Sequence, residues 1–260
     1  MDKRHIYFGS NLKMSKGVAE SARFAADVCA LLRPEDLRGV TPFIIPSYLA
    51  IPGVRDAIGP EGRLMFGAQN VCAQERGAYT GETSVGQLTE CGVPLVEIGH
   101  SERRHIYHET DDDCRKKAAL VLEHGLRVLL CVGETAEEKA AGQADRVLCR
   151  QAAALEGLAD RADRIWVAYE PVWAIGTAGV PASPEYAQEK HAVIRGALTR
   201  ILGPAGAGIP LLYGGSVNPD NADALIRQPD IDGLFVGRAA WSAEGFVSLL
   251  RQARRSAGLD

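Results

Sequence analysis

Short apolar segments recur along the chain, at intervals that leave room for a helix between them. Each is nearly continuous in hydrophobic residues, which is typical of strands buried on both faces of a sheet. The segments are IYF (6–8), VTPFII (40–45), LMFGA (64–68), PLVEIG (94–99), LRVLLCV (126–132), IWVAY (165–169), IPLLY (209–213) and GLFVG (233–237). They predict eight buried strands.

The stretches between most of these segments have the three- and four-residue spacing of amphipathic helices. Two such apolar stripes are Val18, Ala22, Ala25, Val28 and Leu32, and Ala187, His191, Ile194, Leu198 and Ile201. Helix starts are predicted at Ser183 and Asn218, because each is a capping residue followed by a proline. Ser242 is a weaker start signal of the same kind.

Alternation of strand and helix predicts a parallel sheet. Eight such units in 260 residues fit a closed (β/α)8 barrel, and no low-complexity linker divides the sequence. We therefore predict a single α/β barrel domain over residues 1–260. The alternative is an open doubly wound sheet, which should carry a GxGxxG turn after its first strand. The sequence there is GSNLKMSKG, so that fingerprint is absent.

Composition narrows the classes of function. Hydrophobic residues make up 46% and charged residues 24% of the chain, and its formal net charge is -4. This balance predicts no nucleic-acid or membrane partner, and no apolar run has the length of a membrane span. The first ten residues lack the apolar stretch of a secretory signal, and the six cysteines form no CxxC pair. We expect a cytoplasmic protein with reduced thiols.

Chemistry in such a barrel takes place where the strands end, at their carboxyl edge. The polar and glycine residues just past the apolar segments are Asn11, Lys13, His100, Glu102, Glu170, Gly214, Gly215, Ser216, Gly237 and Arg238. A base, an imidazole, a cation and glycine-rich turns would therefore meet at one mouth. Taken singly, each residue has a plainer interpretation as a solvated loop residue, a packed histidine or a tight turn.

Several classes of catalysis lack their motifs. The sequence has no HxH, no HExxH and no carboxylate cluster with ligand spacing, so we expect no metal and no other cofactor. It also has no GxSxG nucleophile elbow. A barrel that uses a Schiff-base lysine stays open as an alternative, although none of the apolar segments contains a lysine. A non-catalytic phosphate-binding barrel is a further alternative.

Longer stretches of the sequence resemble the triosephosphate isomerase family over essentially the whole chain. They are NLKM (11–14), GAQN (67–70), GAYTGETS (77–84), VEIGHSERR (96–104), CVGET (131–135), AYEPVWAIGT (168–177), YGGSVNP (213–219) and DGLFVG (232–237). The resemblance implies an isomerase that moves a proton between neighbouring carbons of a small phosphorylated ketose or aldose, without a cofactor. Tuned acid–base groups and loop closure are known features of this family.

The resemblance also implies a role for each polar candidate. Glu170 is the expected general base, and His100 is the expected neutral imidazole that polarises the substrate carbonyl. Lys13 is expected to place positive charge beside the enediolate and the phosphate. Asn11 is expected to hydrogen-bond the reacting oxygens, and Glu102 to support Lys13.

Three further expectations follow from the same resemblance. The expected backbone ligands of the substrate phosphate are Gly176, Ser216, Gly237 and Arg238. Residues 171–182 resemble a lid that closes over the substrate and excludes water. The loop 75–82 resembles one that inserts into a partner subunit beside Lys13, so we expect a homodimer.

Four features depart from the usual family pattern. Leu12 replaces an aromatic residue, Phe235 replaces a leucine, Arg238 replaces a glycine, and the lid tip AGVPAS (178–183) is one residue longer and lacks a lysine. These features resemble the corresponding positions in the isomerases of bacterial erythritol catabolism. Those enzymes interconvert L-erythrulose 1-phosphate and D-erythrulose 4-phosphate. We expect this four-carbon substrate. The alternative is an authentic triosephosphate isomerase of glycolysis and gluconeogenesis.

Overall fold

The computed structural model describes residues 5–176 and 179–259. Its centre is a closed barrel in which eight parallel strands follow one another in chain order. The strands are β1 (Ile6–Asn11), β2 (Val40–Ile45), β3 (Met65–Ala68), β4 (Leu95–Ile98), β5 (Arg127–Val132), β6 (Ile165–Tyr169), β7 (Leu211–Tyr213) and β8 (Gly233–Phe235). Each lies within or overlaps one of the eight apolar segments, so the predicted strands and barrel are confirmed.

Pairing between the first and last strands closes the barrel. Tyr7 of β1 lies opposite Gly233 of β8, and Phe8 lies opposite Leu234. A Cβ atom at Gly233 would overlap the carbonyl group of Tyr7, so the close approach of the two backbones requires glycine there. This closure shows that the open doubly wound alternative is wrong.

Helices connect the strands along most of the described chain. They are α1 (Val18–Leu31), α2 (Ile51–Ile58), α3 (Val85–Glu90), α4 (Ser101–Ile106), α5 (Asp111–Glu123), α6 (Ala136–Ala140), α7 (Ala144–Ala152), α8 (Pro184–Leu202), α9 (Ala222–Ile226) and α10 (Ala243–Ser256). The predicted caps of α8 and α10 are confirmed. Ser183 Oγ accepts the backbone N–H of Tyr186 at 3.2 Å, and Ser242 Oγ accepts that of Gly245 at 3.0 Å.

The capping bonds predicted at Asn218 are present, but the helix begins later than predicted. Asn218 Oδ1 accepts the backbone N–H groups of Asp220 and Asn221, at 2.9 and 3.2 Å. The Asn221 side chain in turn accepts the N–H of Asn218 at 2.9 Å. These bonds satisfy the backbone within a closed turn, so α9 begins only at Ala222.

The predicted stripe of α1 is confirmed at Ala25, Val28 and Leu32, which are buried, but not at Val18, which is 49% exposed. Phe24 lies outside that stripe and is also buried, edge-on to Phe246 of α10 with ring centroids 6.2 Å apart. The predicted stripe of α8 is confirmed. In α8 the buried residues include Ala187, His191, Ile194 and Leu198. The larger apolar core lies between the strands and these helices. A second cluster fills the barrel interior and includes Phe43, Ile45, Leu95, Leu129, Trp166, Leu212 and Phe235.

Two structural findings concern membrane crossing and the cysteines in the described residues. No helix there combines the length and the apolarity that crossing a membrane requires. The six cysteines are free thiols, of which Cys72, Cys114 and Cys131 are buried. The single-domain boundary at residues 1–260 stays a prediction.

Candidate active site

A cavity of about 620 Å³ opens at the carboxyl ends of the strands. Most of the predicted site residues line it, namely Asn11, Lys13, Glu102, Glu170, Gly176, Ser216, Gly237 and Arg238. His100 does not line the cavity but lies against Glu170, 4% exposed. The site residues therefore come from the ends of five different strands, β1, β4, β6, β7 and β8, which the closed barrel brings to one mouth.

Glu170 directly follows β6 and points into the barrel mouth. Its backbone N–H donates to the carbonyl of Val132 at 2.8 Å, which continues the sheet pairing one residue beyond the strand. A Cβ atom at Gly214 would lie 2.7 Å from Glu170 Cγ, so glycine there leaves room for the carboxylate. Within the described chain, the buried Oε2 atom of Glu170 has no hydrogen-bond partner. It lies 3.5 Å from Nε2 of His100.

The protonation state of His100 follows from its place before α4. Its Nδ1 atom accepts the backbone N–H of Glu102 at 3.1 Å, so Nδ1 carries no hydrogen and the neutral ring carries its hydrogen on Nε2. Burial lowers the pKa of His100, and this outweighs the opposing effect of the nearby Glu170 charge. A neutral imidazole therefore presents an N–H donor to the side of the ring where Glu170 lies.

Lys13 is held in an unusual backbone conformation. Its φ angle is 50°, in the left-handed region that lysine rarely adopts. Asn11 Oδ1 accepts the Lys13 N–H at 2.7 Å, and Gln69 Nε2 donates to the Lys13 carbonyl at 2.8 Å. The ammonium lies 2.7 Å from Glu102 Oε1, as the resemblance implied. Burial acts to lower the pKa of Lys13, but the bond to Glu102 and the charge of Glu170 outweigh it and raise the pKa.

Asn11 is fixed by a residue that the sequence analysis missed. Asn11 Nδ2 donates to Oε2 of Glu97 at 2.6 Å, and the Asn11 carbonyl accepts Trp241 Nε1–H at 3.1 Å. Glu97 lies in the middle of β4 and has no exposed surface. The Cys131 thiol donates to its Oε1 at 3.4 Å. A single acid inside the apolar segment PLVEIG was a usable signal, because buried carboxyl groups need partners.

The lid segment is anchored by a second carboxylate that sequence reasoning missed. Glu134 is fully buried and accepts hydrogen bonds from three ring-bearing side chains. The donors are Tyr169 at 3.0 Å, Trp173 Nε1 at 2.9 Å and Tyr186 at 3.0 Å. Trp173 belongs to the predicted lid, whereas Tyr169 ends β6 and Tyr186 lies in α8, so Glu134 ties the start of the lid to the barrel. Thr177 and Ala178 of that lid lie outside the described residues.

Glycine-containing turns after β6, β7 and β8 also line the cavity. Gly237 and Arg238 stand at the start of a 3₁₀ turn over Arg238–Ala240. The backbone N–H groups at the start of a helix have no acceptor within the helix. Asn221 Nδ2 donates to the carbonyl of Ser216 at 2.8 Å and fixes that turn. The Gly176 carbonyl accepts from Arg238 Nη2 at 3.1 Å, so the arginine bridges this turn and the lid. The predicted phosphate ligands thus all line the cavity.

The four departures from the family pattern have different environments. Phe235 and Arg238 line the cavity. The Phe235 ring stacks on Phe43, with centroids 5.5 Å apart and planes at 21°. Leu12 is fully buried in the core and does not line the cavity, since it points away from the mouth that Asn11 and Lys13 face. Val180 of the lid tip is 65% exposed.

Glu97, His100 and Glu170 form the one buried group of metal-ligand types in the described part of the chain. Their ligand atoms all lie within 4.8 Å of one another. A metal would need a lone pair on the histidine nitrogen facing the carboxylates. The bond from the Glu102 N–H to Nδ1 leaves the hydrogen on that facing nitrogen, so the nitrogen has no free lone pair to offer a metal.

Comparison with known proteins identifies the family that the chain matches. The family model described as triosephosphate isomerase matches residues 6–253. An L-erythrulose-1-phosphate isomerase of Rhizobium etli is 46% identical over 98% of this chain and 94% of that protein. A protein of the same name from Mycolicibacterium smegmatis is 46% identical over 95% of this chain and 93% of its own length. A triosephosphate isomerase of Treponema denticola is 42% identical over 95% of this chain and 98% of that protein.

Proposed function

Because this chain belongs to the triosephosphate isomerase family and is an isomerase, we propose that Glu170, His100, Lys13 and Asn11 catalyse proton transfer in a sugar phosphate. One observation carries the proposal. Within the described chain, a carboxylate oxygen without a hydrogen-bond partner lies 3.5 Å from the protonated nitrogen of a neutral imidazole, at a cavity that Lys13 also lines. This is the arrangement that removal of a proton beside a carbonyl group requires.

Each proton in the proposed reaction has an identified carrier. Glu170 Oε2 takes the proton from the carbon beside the carbonyl, and the electrons of that C–H bond move into the C=C bond of an enediolate. The Nε2–H of His100 hydrogen-bonds the developing oxyanion and exchanges protons between the two substrate oxygens. Glu170 then returns its proton to the neighbouring carbon, which leaves the carbonyl displaced by one position and the enzyme unchanged.

The remaining groups stabilise negative charge. Lys13 places its ammonium in the cavity, where the low dielectric strengthens its attraction for the enediolate and the phosphate. Asn11 hydrogen-bonds the reacting oxygens, and Glu102 supports Lys13. The backbone at Gly176, Ser216, Gly237 and Arg238 binds the phosphate, and Arg238 adds a cation there.

We propose L-erythrulose 1-phosphate and D-erythrulose 4-phosphate as the pair that is interconverted. Two observations support a substrate other than the usual triose. Phe235 and Arg238, which depart from the family pattern, line the cavity, and relatives at 46% identity are named L-erythrulose-1-phosphate isomerases. The triose pair is the second candidate, supported by the unchanged proton-transfer residues and by the relative in Treponema denticola.

We expect kcat/KM for the erythrulose phosphates to exceed that for dihydroxyacetone phosphate by about tenfold or more, since pocket shape discriminates one carbon unit on this scale. The measurement is a side-by-side assay of both substrates with one enzyme preparation. The Glu170→Gln variant, purified identically, sets the background from host triosephosphate isomerase. A preference for the triose establishes the second candidate, and turnover of neither substrate contradicts both.

We propose that two copies of the chain form a homodimer through the loop 75–82. Tyr79 of this loop is 48% exposed, and Met14, one residue after Lys13, is 96% exposed. Covering these apolar side chains would stabilise an association between copies. Sedimentation equilibrium should give twice the 27.9 kDa chain mass. Replacing Tyr79 and Met14 with aspartate should give the single-chain mass, whereas a monomeric unmodified protein contradicts the proposal.

A further inference from the structure

Glu97 is a buried carboxyl group that the proposed proton transfer does not use. It lies in β4, inside the barrel, with no surface exposed to solvent. Its Oε2 atom accepts from Asn11 Nδ2 at 2.6 Å, and its Oε1 atom accepts from the Cys131 thiol at 3.4 Å. Because it has no exposed surface and its two oxygens are bonded to Asn11 and Cys131, it acts on the reaction through the groups that it contacts.

The charged and titratable groups around Glu97 come from four elements and the loops that follow them. They are Glu170 after β6, His100 after β4, Cys131 of β5, and Lys13 after β1. Among the described residues, no lysine or arginine forms an ion pair with Glu97. The ammonium of Lys13 is already paired with Glu102 at 2.7 Å, and a ligand oxygen of Glu170 lies within 4.8 Å of one of Glu97.

Two buried carboxyl groups this close repel each other when both are ionised, so the protonated form of one of them is favoured. If Glu170 is the base, as proposed above, it must be the ionised member. We propose that Glu97 is a positioning residue that works as a neutral acid: it holds the Asn11 amide toward the reacting oxygens without adding a second negative charge beside Glu170. This inference rests on the proposed role of Glu170.

The electrostatic surroundings support this assignment. Burial and the charge of Glu170 raise the pKa of Glu97 to about 8, although Cys131, Asn11 and Lys13 act in the opposite direction. Below that pH Glu97 is protonated and the buried pair carries one negative charge. Above it, a second charge appears beside the carboxylate that must attract a proton and near the path of an anionic intermediate.

Ionisation of Glu97 has a predictable effect on turnover. A second buried negative charge repels the enediolate and the phosphate, and it pulls the Asn11 donor toward Glu97 and away from the substrate oxygens. We therefore expect kcat/KM of the unmodified enzyme to fall about tenfold from pH 7 to pH 9, because one unit above a pKa about a tenth of the group is protonated. A glutamine at this position cannot ionise.

The test compares Glu97→Gln with Glu97→Leu over this pH range. Glu97→Leu leaves the Asn11 amide without its acceptor, so kcat should fall about five- to 100-fold at pH 7, the range for an unsatisfied buried donor. Glu97→Gln restores that acceptor and should recover most of the loss. It should also show no decline in kcat/KM between pH 7 and 9. Glu156→Gln, which makes the same change at an exposed site, should decline like the unmodified enzyme.

A merely structural role for Glu97 would lower stability in both variants but leave the alkaline decline in place. Parallel pH profiles for Glu97→Gln and the unmodified enzyme therefore overturn the proposal. If the proposed isomerisation itself fails, the infrared spectrum still decides the protonation state of Glu97. A band from a protonated carboxyl group at pH 7 that is absent in Glu97→Gln supports the proposal, and its absence from the unmodified protein contradicts it.

Discussion

Replacing Glu170 with glutamine is expected to lower kcat by about 10²- to 10⁴-fold, the usual contribution of a general base. Glutamine has almost the same size as glutamate, so the space left by Gly214 and the backbone bond to Val132 persist. The amide oxygen is too weak a base to remove a proton from carbon. KM should change little, because the proposed phosphate ligands are Lys13 and the backbone at Gly176, Ser216, Gly237 and Arg238, which this substitution leaves in place.

The Glu170→Asp variant tests the position of the carboxylate separately from its basicity. Aspartate keeps the carboxylate but withdraws it by one methylene, and a displacement of roughly 1 Å costs about 100-fold in rate. Exchange of substrate protons with deuterated water should slow in parallel with kcat for both variants. Glu156→Gln is the matched control, because the same change at an exposed glutamate should leave kcat unaltered. Turnover of Glu170→Gln within tenfold of the unmodified enzyme would show that another group is the base.

The barrel was predictable from the sequence because each strand is covered on both faces and therefore leaves a nearly continuous apolar segment. The differences lie at element boundaries and in one large side chain. Asn218 makes the bonds of a helix cap, but a turn precedes the helix, which begins at Ala222. In α1, Phe24 lies outside the predicted stripe and packs on Phe246, which is over 200 residues away along the chain.

Some residues of the candidate site could be identified from the sequence, and others could not. Residues just past strand ends were identifiable, because the barrel brings every carboxyl strand end to one mouth. The roles of those residues came from the family resemblance and not from the strand pattern. Glu97 and Glu134 were missed, because their partners lie 86 residues away at Asn11 and 35 away at Tyr169. Their importance depends on which side chains the closed barrel places together.

Lys13 combines catalytic charge with backbone strain, and the two can be separated experimentally. We expect Lys13→Met and Lys13→Gly to lower kcat/KM by about 10²- to 10³-fold, because both remove a positive charge directed at the developing enediolate. Both also leave Glu102 without its partner at 2.7 Å. That pair is partly exposed, so its loss costs at most about 1 kcal/mol of folding free energy in either variant.

The two variants should differ in stability. At a φ angle of 50°, methionine retains the strain of the left-handed region, whereas glycine adopts it freely. Lys13→Gly should therefore unfold in urea with a free energy about 1 kcal/mol higher than that of Lys13→Met.

Lys16→Met is the control for a lost lysine, because Lys16 pairs with Glu20 outside the cavity and should keep full activity. Equal unfolding free energies for Lys13→Gly and Lys13→Met would show that the left-handed residue stores no strain. A kcat/KM of Lys13→Met within tenfold of the unmodified enzyme would show that the ammonium does not stabilise the transition state. We expect Lys13→Gly to be less active than the unmodified enzyme and more stable than Lys13→Met. This result would mean that holding a cation at the reacting atoms lowers the stability of the fold.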